Sequence, residues 1–162
     1  EINGPSYIRL MGSMGARTVF TEDFNLVPGK AICLRDGSDV QILATGNMVS
    51  EALDAALALE KQGISASVYD VHTIKPLDTE CISNSTRLLV TIEEHTLVSG
   101  LGAAVASHLT SSDKQFTRLL QIGLNDCFGT VGEYRYMLEQ AGLSAHDIEL
   151  KILEKYQNLH TL

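Results

Sequence analysis

Two carboxylates and an imidazole stand side by side at Glu93-Glu94-His95, directly after the apolar run Arg87–Ile92. If that run is a strand, the three residues sit at its carboxyl end, where open α/β sheets place functional groups. Carboxylates beside a histidine can exchange protons, because like charge raises one carboxyl pKa and holds the imidazole cationic. Adjacent strand residues point to opposite faces, however, so Glu93 and Glu94 share a pocket only if the strand has already ended. That conflict favours a structural or interface role over direct catalysis. Just beyond lies Ser99-Gly100-Leu101-Gly102, leading into a helix rich in small residues. A glycine turn at a helix N-terminus offers N–H groups to an anion. The dinucleotide fingerprint is incomplete, since Val105 holds the third glycine position and no acidic residue ends a second strand ~20 residues on. Close helix–sheet packing accounts for the two glycines as well. No Gly-x-x-x-x-Gly-Lys-Ser/Thr occurs, which argues against a nucleotide triphosphatase.

Other reactive side chains are isolated. His72, before Thr73-Ile74-Lys75-Pro76, reads as a loop histidine held by hydrogen bonds rather than a general base. His108, His146 and His160 show no triad spacing and are expected at the surface. Cys127, between Asp126 and Phe128, has no basic neighbour to lower its pKa and is expected to be a buried thiol.

These groups need a frame. Apolar runs at Lys30–Leu34 and Asp39–Thr45 flank Asp36-Gly37, the short-range sign of an antiparallel hairpin. Asn47–Gln62 has the helical period, with apolar side chains at Val49, Ala52, Leu53, Ala56, Leu57 and Leu59, Asn47 as N-cap and Gly63 as the stop. Ser65–Val71 alternates as a strand, and Asp78 can cap a short helix near Thr79–Ser85. Arg87–Ile92 suits a strand covered on both faces, and Leu119–Ile122 a further strand. Helices are expected over Gly100–Ser111, over Glu133–Ala141 and from Ser144-x-x-Asp147, an approximate capping box. The order predicts an α/β three-layer sandwich: a mostly parallel sheet of about five strands with one antiparallel strand.

Composition narrows the classes of function. With 162 residues, 44% of them hydrophobic and 20% charged, the chain has the make-up of one globular domain. Its net charge of −8 and scattered basic residues argue against nucleic acid as a partner. The longest apolar stretches fall short of the ~20 residues that cross a bilayer, so no membrane partner is expected. Three widely spaced cysteines without a Cys-x-x-Cys read as reduced thiols in a cytoplasmic protein. Glu1–Arg9 lacks the pattern of a signal peptide. The opening residue is Glu1 rather than methionine, as expected after removal of a tag or for a piece of a longer polypeptide.

Several strings stand in a telling order: Pro5-Ser6-Tyr7-Ile8-Arg9-Leu10, Leu43-Ala44-Thr45-Gly46, Val71-His72-Thr73-Ile74-Lys75-Pro76-Leu77-Asp78, Glu93-Glu94-His95 followed by Gly100-Leu101-Gly102, and Phe128-Gly129. In that order they resemble the C-terminal domain of the transketolase family, most closely the C-terminal subunit of split, two-chain transketolases. The same domain recurs in deoxyxylulose phosphate synthase and in the beta subunit of 2-oxoacid dehydrogenases. The likeness runs from Pro5 to the last helix, departing at Ser99-Gly100, where the family usually has two glycines.

The resemblance implies a complete enzyme that moves a two-carbon ketol unit between sugar phosphates with thiamine diphosphate and Mg2+. This chain lacks the Gly-Asp-Gly and Asn-Asn strings that bind the cofactor, so it is expected to bind none and to be inactive alone. Residues 1–27 are expected to be the tail of a preceding pyrimidine-binding domain, with Tyr7–Leu10 as its last strand, and residues 28–162 the C-terminal domain. Arg9 is the one residue carried over as substrate-binding, since a guanidinium fork matches phosphate oxygens. Glu93, Glu94, His95, Gly100 and Gly102 are expected at an inter-domain or subunit interface. The expected partners are the N-terminal transketolase domains or subunit and a second copy in a homodimer. Two other classes stay open: a partner-docking module unrelated to thiamine, and a small dinucleotide-binding oxidoreductase using Gly100-Leu101-Gly102.

Overall fold

The computed structural model of the protein describes residues 3–10, 17–83, 85–111 and 118–160. The side chain of His160 lies outside them. Five strands, β1 (Ile32–Arg35), β2 (Val40–Ala44), β3 (Ala66–Asp70), β4 (Leu88–Thr96) and β5 (Arg118–Leu124), form one sheet in the order β1-β3-β2-β4-β5. All neighbours are parallel except β1 and β3. The helices are α1 (Met48–Glu60), α2 (Leu101–Ser111), α3 (Tyr134–Gln140) and α4 (Ala145–Gln157). This is the predicted α/β sheet with its single antiparallel strand.

Period-two alternation divides the core. Val40, Ile42 and Ala44 of β2 and Leu88, Val90 and Ile92 of β4 face one side, where they pack with α1 and with Ile148, Ile152 and Tyr156 of α4. Leu43 and Leu89 face the other side, covered by Leu101, Val105 and Leu109 of α2 and by Ile82. That second cover is thinner, and a buried polar residue completes it. Gln41 of β2, 2% exposed, donates from Nε2 to the Cys81 carbonyl at 2.8 Å and accepts from the Ser83 N–H at 2.8 Å. One amide side chain thereby pins the segment after Pro76 to the sheet.

The expected hairpin is not formed. β1 and β2 run in opposite directions, as a hairpin would, but β3 lies between them. The Asp-Gly pair serves a crossing instead of a tight turn: a Cβ at Gly37 would fall on the backbone of Ala66 and Ser67, so only glycine lets the chain pass over the start of β3. Asp39 secures the crossing, donating its N–H to the Ser65 carbonyl and accepting the Ser65 N–H on Oδ2.

Three local expectations also change. Residues 79–83 and 85 form no helix, only a turn at 80–81 and a bend at 85, and Asp78 spends its carboxylate on the N–H groups of Ala31 and Glu80 and on Lys30. Asn47 precedes α1 but makes no capping bond, and Leu57 is exposed while Met48 and Ala55 are buried. Tyr7–Leu10 are exposed and join no sheet, since a lone segment has no ladder to enter. Ser144, in contrast, caps α4 as expected, accepting the Asp147 N–H.

Candidate functional site at the carboxyl edge of the sheet

The chain leaves β2 through α1 toward β3 on one side, and leaves β4 through α2 toward β5 on the other. The carboxyl ends of β2 and β4 therefore flank a topological switch point, where open α/β sheets form a crevice. Glu93-Glu94-His95 stands there. The ladder between β4 and β5 shifts register between Ile92 and Thr96, and such irregularities re-aim side chains at functional edges. Because β4 continues to Thr96, Glu93 and Glu94 leave on opposite faces, as the strand argument requires.

Glu93, 1% exposed, turns to the α2 face. Its Oε2 accepts the Leu101 N–H at 2.9 Å and its Oε1 the Gly102 N–H at 2.7 Å. Both bonds are charge-assisted and complement the positive end of the α2 dipole. Gly100 makes room: its φ of +138° disfavours any side chain, and a Cβ there would fall on Glu93 Oε2. Gly102 seats α2 against Thr91 and Gln121. The N–H pair that this glycine turn offers to an anion is thus filled from within.

Glu94 turns to the other face. Its Oε2 accepts the Tyr134 hydroxyl at 2.9 Å, and that hydroxyl accepts from Asn47 Nδ2 at 2.8 Å. Burial pushes the Tyr134 phenol up to about 12; the Glu94 carboxylate adds to the rise and the Asn47 donor opposes it. Arg9 is exposed and donates from Nη1 to the Glu94 carbonyl at 3.4 Å, laying the N-terminal segment on this edge. His95 is exposed. Glu93, Gly100 and Gly102 thus form one cluster and Arg9, Glu94, Asn47 and Tyr134 another, on either side of β4. Tyr134 had no local signal in the sequence, because its partners lie 40 and 87 residues away.

A cleft of about 340 Å³ opens beside the second cluster, lined in part by Arg17, Gly46, Asn47, Ser50, Tyr134 and Arg135. Its guanidiniums are engaged: Arg17 with Asp54 at 2.8 Å and the Ser50 carbonyl at 3.0 Å, Arg135 with Glu51 at 2.9 Å. Glu51 also accepts the Ala145 N–H at 2.7 Å, so this one carboxylate ties α1 both to α3 through Arg135 and to the start of α4. His72 shares its Nδ1 with Thr73 Oγ1 at 2.8 Å, near Asp70, whose carboxyl is held above the usual carboxylate range by burial, against a smaller opposing pull from His72. Cys127 is exposed rather than buried, because residues 125–133 form an uncovered loop. His146 is exposed and lies 3.7 Å from Glu149, while His108 is only partly exposed. Among the described residues no three His, Cys, Asp or Glu side chains gather to hold a metal, and no helix is long and apolar enough to cross a membrane.

A mixed five-stranded sheet, helices on both faces and a polar cluster at the switch point define an α/β domain whose carboxyl edge is braced by its own acidic side chains. The chain belongs to the transketolase C-terminal domain family, which matches residues 29–148. It is 44% identical over 149 residues to the 6-deoxy-6-sulfo-D-fructose transketolase subunit SqwH of a Clostridium species, covering 90% of this chain and 45% of that subunit. To the 1-deoxy-D-xylulose-5-phosphate synthase of Chlorobium phaeovibrioides it is 41% identical over 156 residues, covering 94% of this chain and 24% of the synthase. A solved split gene transketolase, described as an inactive beta4 tetramer, superposes with a TM-score of 0.78 at 37% identity, over 88% of this chain and 46% of that one. A Pichia stipitis transketolase shares the fold at 19% identity and a TM-score of 0.60, over 82% of this chain and 19% of that one. The chain thus spans about half the length of the transketolase subunit and about a quarter of the synthase.

Proposed function

We propose that the chain is the C-terminal domain of a thiamine-diphosphate-dependent transketolase that moves a ketol unit between sugar phosphates, and that it serves assembly and support of the cofactor-binding domains. The observation that carries this reading is the 44% identity to a transketolase subunit over nine-tenths of the chain. Residues 1–27 then belong to the tail of the preceding domain and its linker, and the complete enzyme acts in the cytoplasm as a homodimer.

The Gly-Asp-Gly and Asn-Asn strings through which the family binds its cofactor do not occur in this sequence. A thiamine diphosphate would supply the nucleophilic carbon and Mg2+ would hold its phosphates. The α2 N-terminus, however, already carries the Glu93 carboxylate, which would repel a diphosphate, and the described residues assemble no metal-ligand group. The cofactor therefore fits this chain's described residues poorly, and no chemical step is routed through them. What the chain contributes is a braced edge: Glu93 holds α2 to β4, and Glu94 with Tyr134 holds α3 and α1 to the same strand. Arg9 is proposed to reach the substrate phosphate once the preceding domain is in place, where its planar fork suits two phosphate oxygens. The inactive tetramer formed by the related split transketolase chain supports a division of labour in which this portion does not turn over alone.

Ketol transfer between sugar phosphates is measured with the N-terminal domains or subunit alone, with this chain alone, and with both. Activity is expected only for the combination, and titration of the isolated chain with thiamine diphosphate and Mg2+ is expected to give no binding. Turnover or tight cofactor binding by the isolated chain refutes the reading. The likeness to the synthase over 94% of the chain supports a second reading, separated by the product: formation of 1-deoxy-D-xylulose-5-phosphate by the complete enzyme would replace the transketolase assignment.

A further inference from the structure

Two loops at the carboxyl edge expose apolar side chains that the domain leaves uncovered. Val98, after β4, is 76% exposed; Phe128 and Val131, after β5, are fully or almost fully exposed. The loops are neighbours, because the Leu97 N–H bonds the Leu124 carbonyl at 3.1 Å where β4 and β5 end. Both are held at their far ends. Glu93 fixes the start of α2 after the first loop, and Tyr134, bonded to Glu94 and Asn47, fixes the residue that follows the second. An aromatic anchor flanked by aliphatic side chains on pre-positioned loops is the make-up of an interface centre, and its ordering cost on binding is small.

We infer that Val98, Phe128 and Val131 form the docking patch for the domain that precedes this one in the complete subunit, an inference that rests on the chain's being the C-terminal part of a larger transketolase. The N-terminal segment identifies the occupant. Arg9 lays it on this same edge through the Glu94 carbonyl, and its Tyr7, Ile8 and Leu10 are 90%, 76% and 83% exposed, so the segment that leads to the preceding domain also leaves apolar side chains to be covered. The matched transketolase subunit is about twice as long, which provides the mass to cover it. Charge argues against a second copy of this chain: the loop carries exposed Asp126 and Glu133 around Phe128, and two such rims face to face would repel. The facing surface is therefore apolar at its centre and basic at its rim.

Hydrogen exchange of the full-length subunit and of the isolated chain tests this. Amides of residues 97–99 and 126–132 are expected to exchange at least about tenfold more slowly in the full-length subunit. Phe128→Ser with Val131→Ser should abolish that protection while moving the isolated chain's Tm by no more than about 2 °C, as for other exposed positions. Equal exchange in both forms overturns the proposal. So does protection in the isolated chain that grows with its concentration, which would mark a second copy as the occupant, or unfolding of the isolated double variant, which would make the patch part of the domain's own packing. Protection in a full-length subunit that performs no ketol transfer would leave the docking patch standing and refute the activity alone.

Discussion

Gly100→Ala probes the cluster that joins β4 to α2. Two costs arise together. The backbone at φ +138° is a conformation that side chains rarely adopt, which costs on the order of 1–3 kcal/mol. The new Cβ would also fall on Glu93 Oε2, so the carboxylate must leave at least one of its two N–H partners, at about 1–3 kcal/mol for a buried unsatisfied donor. Together these give about 2–6 kcal/mol, or a Tm lowered by roughly 5–20 °C for a domain of this size. Urea unfolding followed by circular dichroism reads the loss. A double-mutant cycle isolates its cause. Glu93→Ala alone leaves the Leu101 and Gly102 N–H groups unpaired and should cost about as much as the displacement. Once the carboxylate is gone, Gly100→Ala has nothing to displace and should cost only the backbone part, so the two changes should fall short of additivity by about 1–3 kcal/mol. Additive costs, or a Gly100→Ala variant within about 0.5 kcal/mol of the parent, would show that the carboxylate does not hold the position described.

Three further outcomes are expected. Tyr134→Phe removes the link between Glu94 and Asn47 and should cost about 1–2 kcal/mol. The Tyr134 phenol titrates near 12 when folded against an ordinary value of 10, so its contribution is complete below pH 10 and lost as the pH rises toward 12. The urea midpoint should therefore fall over that window, and fall less in the Phe variant; both are best compared in a Cys81→Ser background, because burial pushes Cys81 up to about 12 as well. Gln41→Leu leaves the Cys81 carbonyl and Ser83 N–H without their side-chain partner and should cost about 1–3 kcal/mol, with faster proteolysis after residue 78 as the local readout. Under a thiol reagent at pH 8, exposed Cys127 should react first and half-buried Cys81 last; equal rates would contradict the burial described.

What could be read in the sequence was local. Ser144 and Asp147 lie within one turn, so their cap was legible, as was the apolar run that became β4. The pairing of β1 was not, because the Asp-Gly signal describes a turn and carries no information about a strand arriving 30 residues later. Gly37 serves that strand, against Ala66 and Ser67. Asn47 was legible as a helix start but not as a partner of Tyr134, which is 87 residues away. At the candidate site, strand alternation already set Glu93 and Glu94 on opposite faces; the use each makes of its face depends on α2 and α3. Gln41 did carry a usable signal, a lone amide inside the apolar run of β2, but its targets are backbone atoms with no mark in the sequence.

That choice of targets has an evolutionary consequence. Gln41 grips only main-chain atoms, so it makes no demand on which residues occupy positions 81 and 83. Packing, not Gln41, is what limits the strap over that half of the sheet: Ile82 is buried in the cluster beneath it and Cys81 packs against that cluster, while Ser83 is tied to Gln41 only through its N–H. Descendants of this chain should accordingly keep small or apolar side chains at positions 81 and 82, vary more freely at position 83 so long as its N–H remains, and retain glutamine, or a side chain with the same two hydrogen-bonding ends, at position 41.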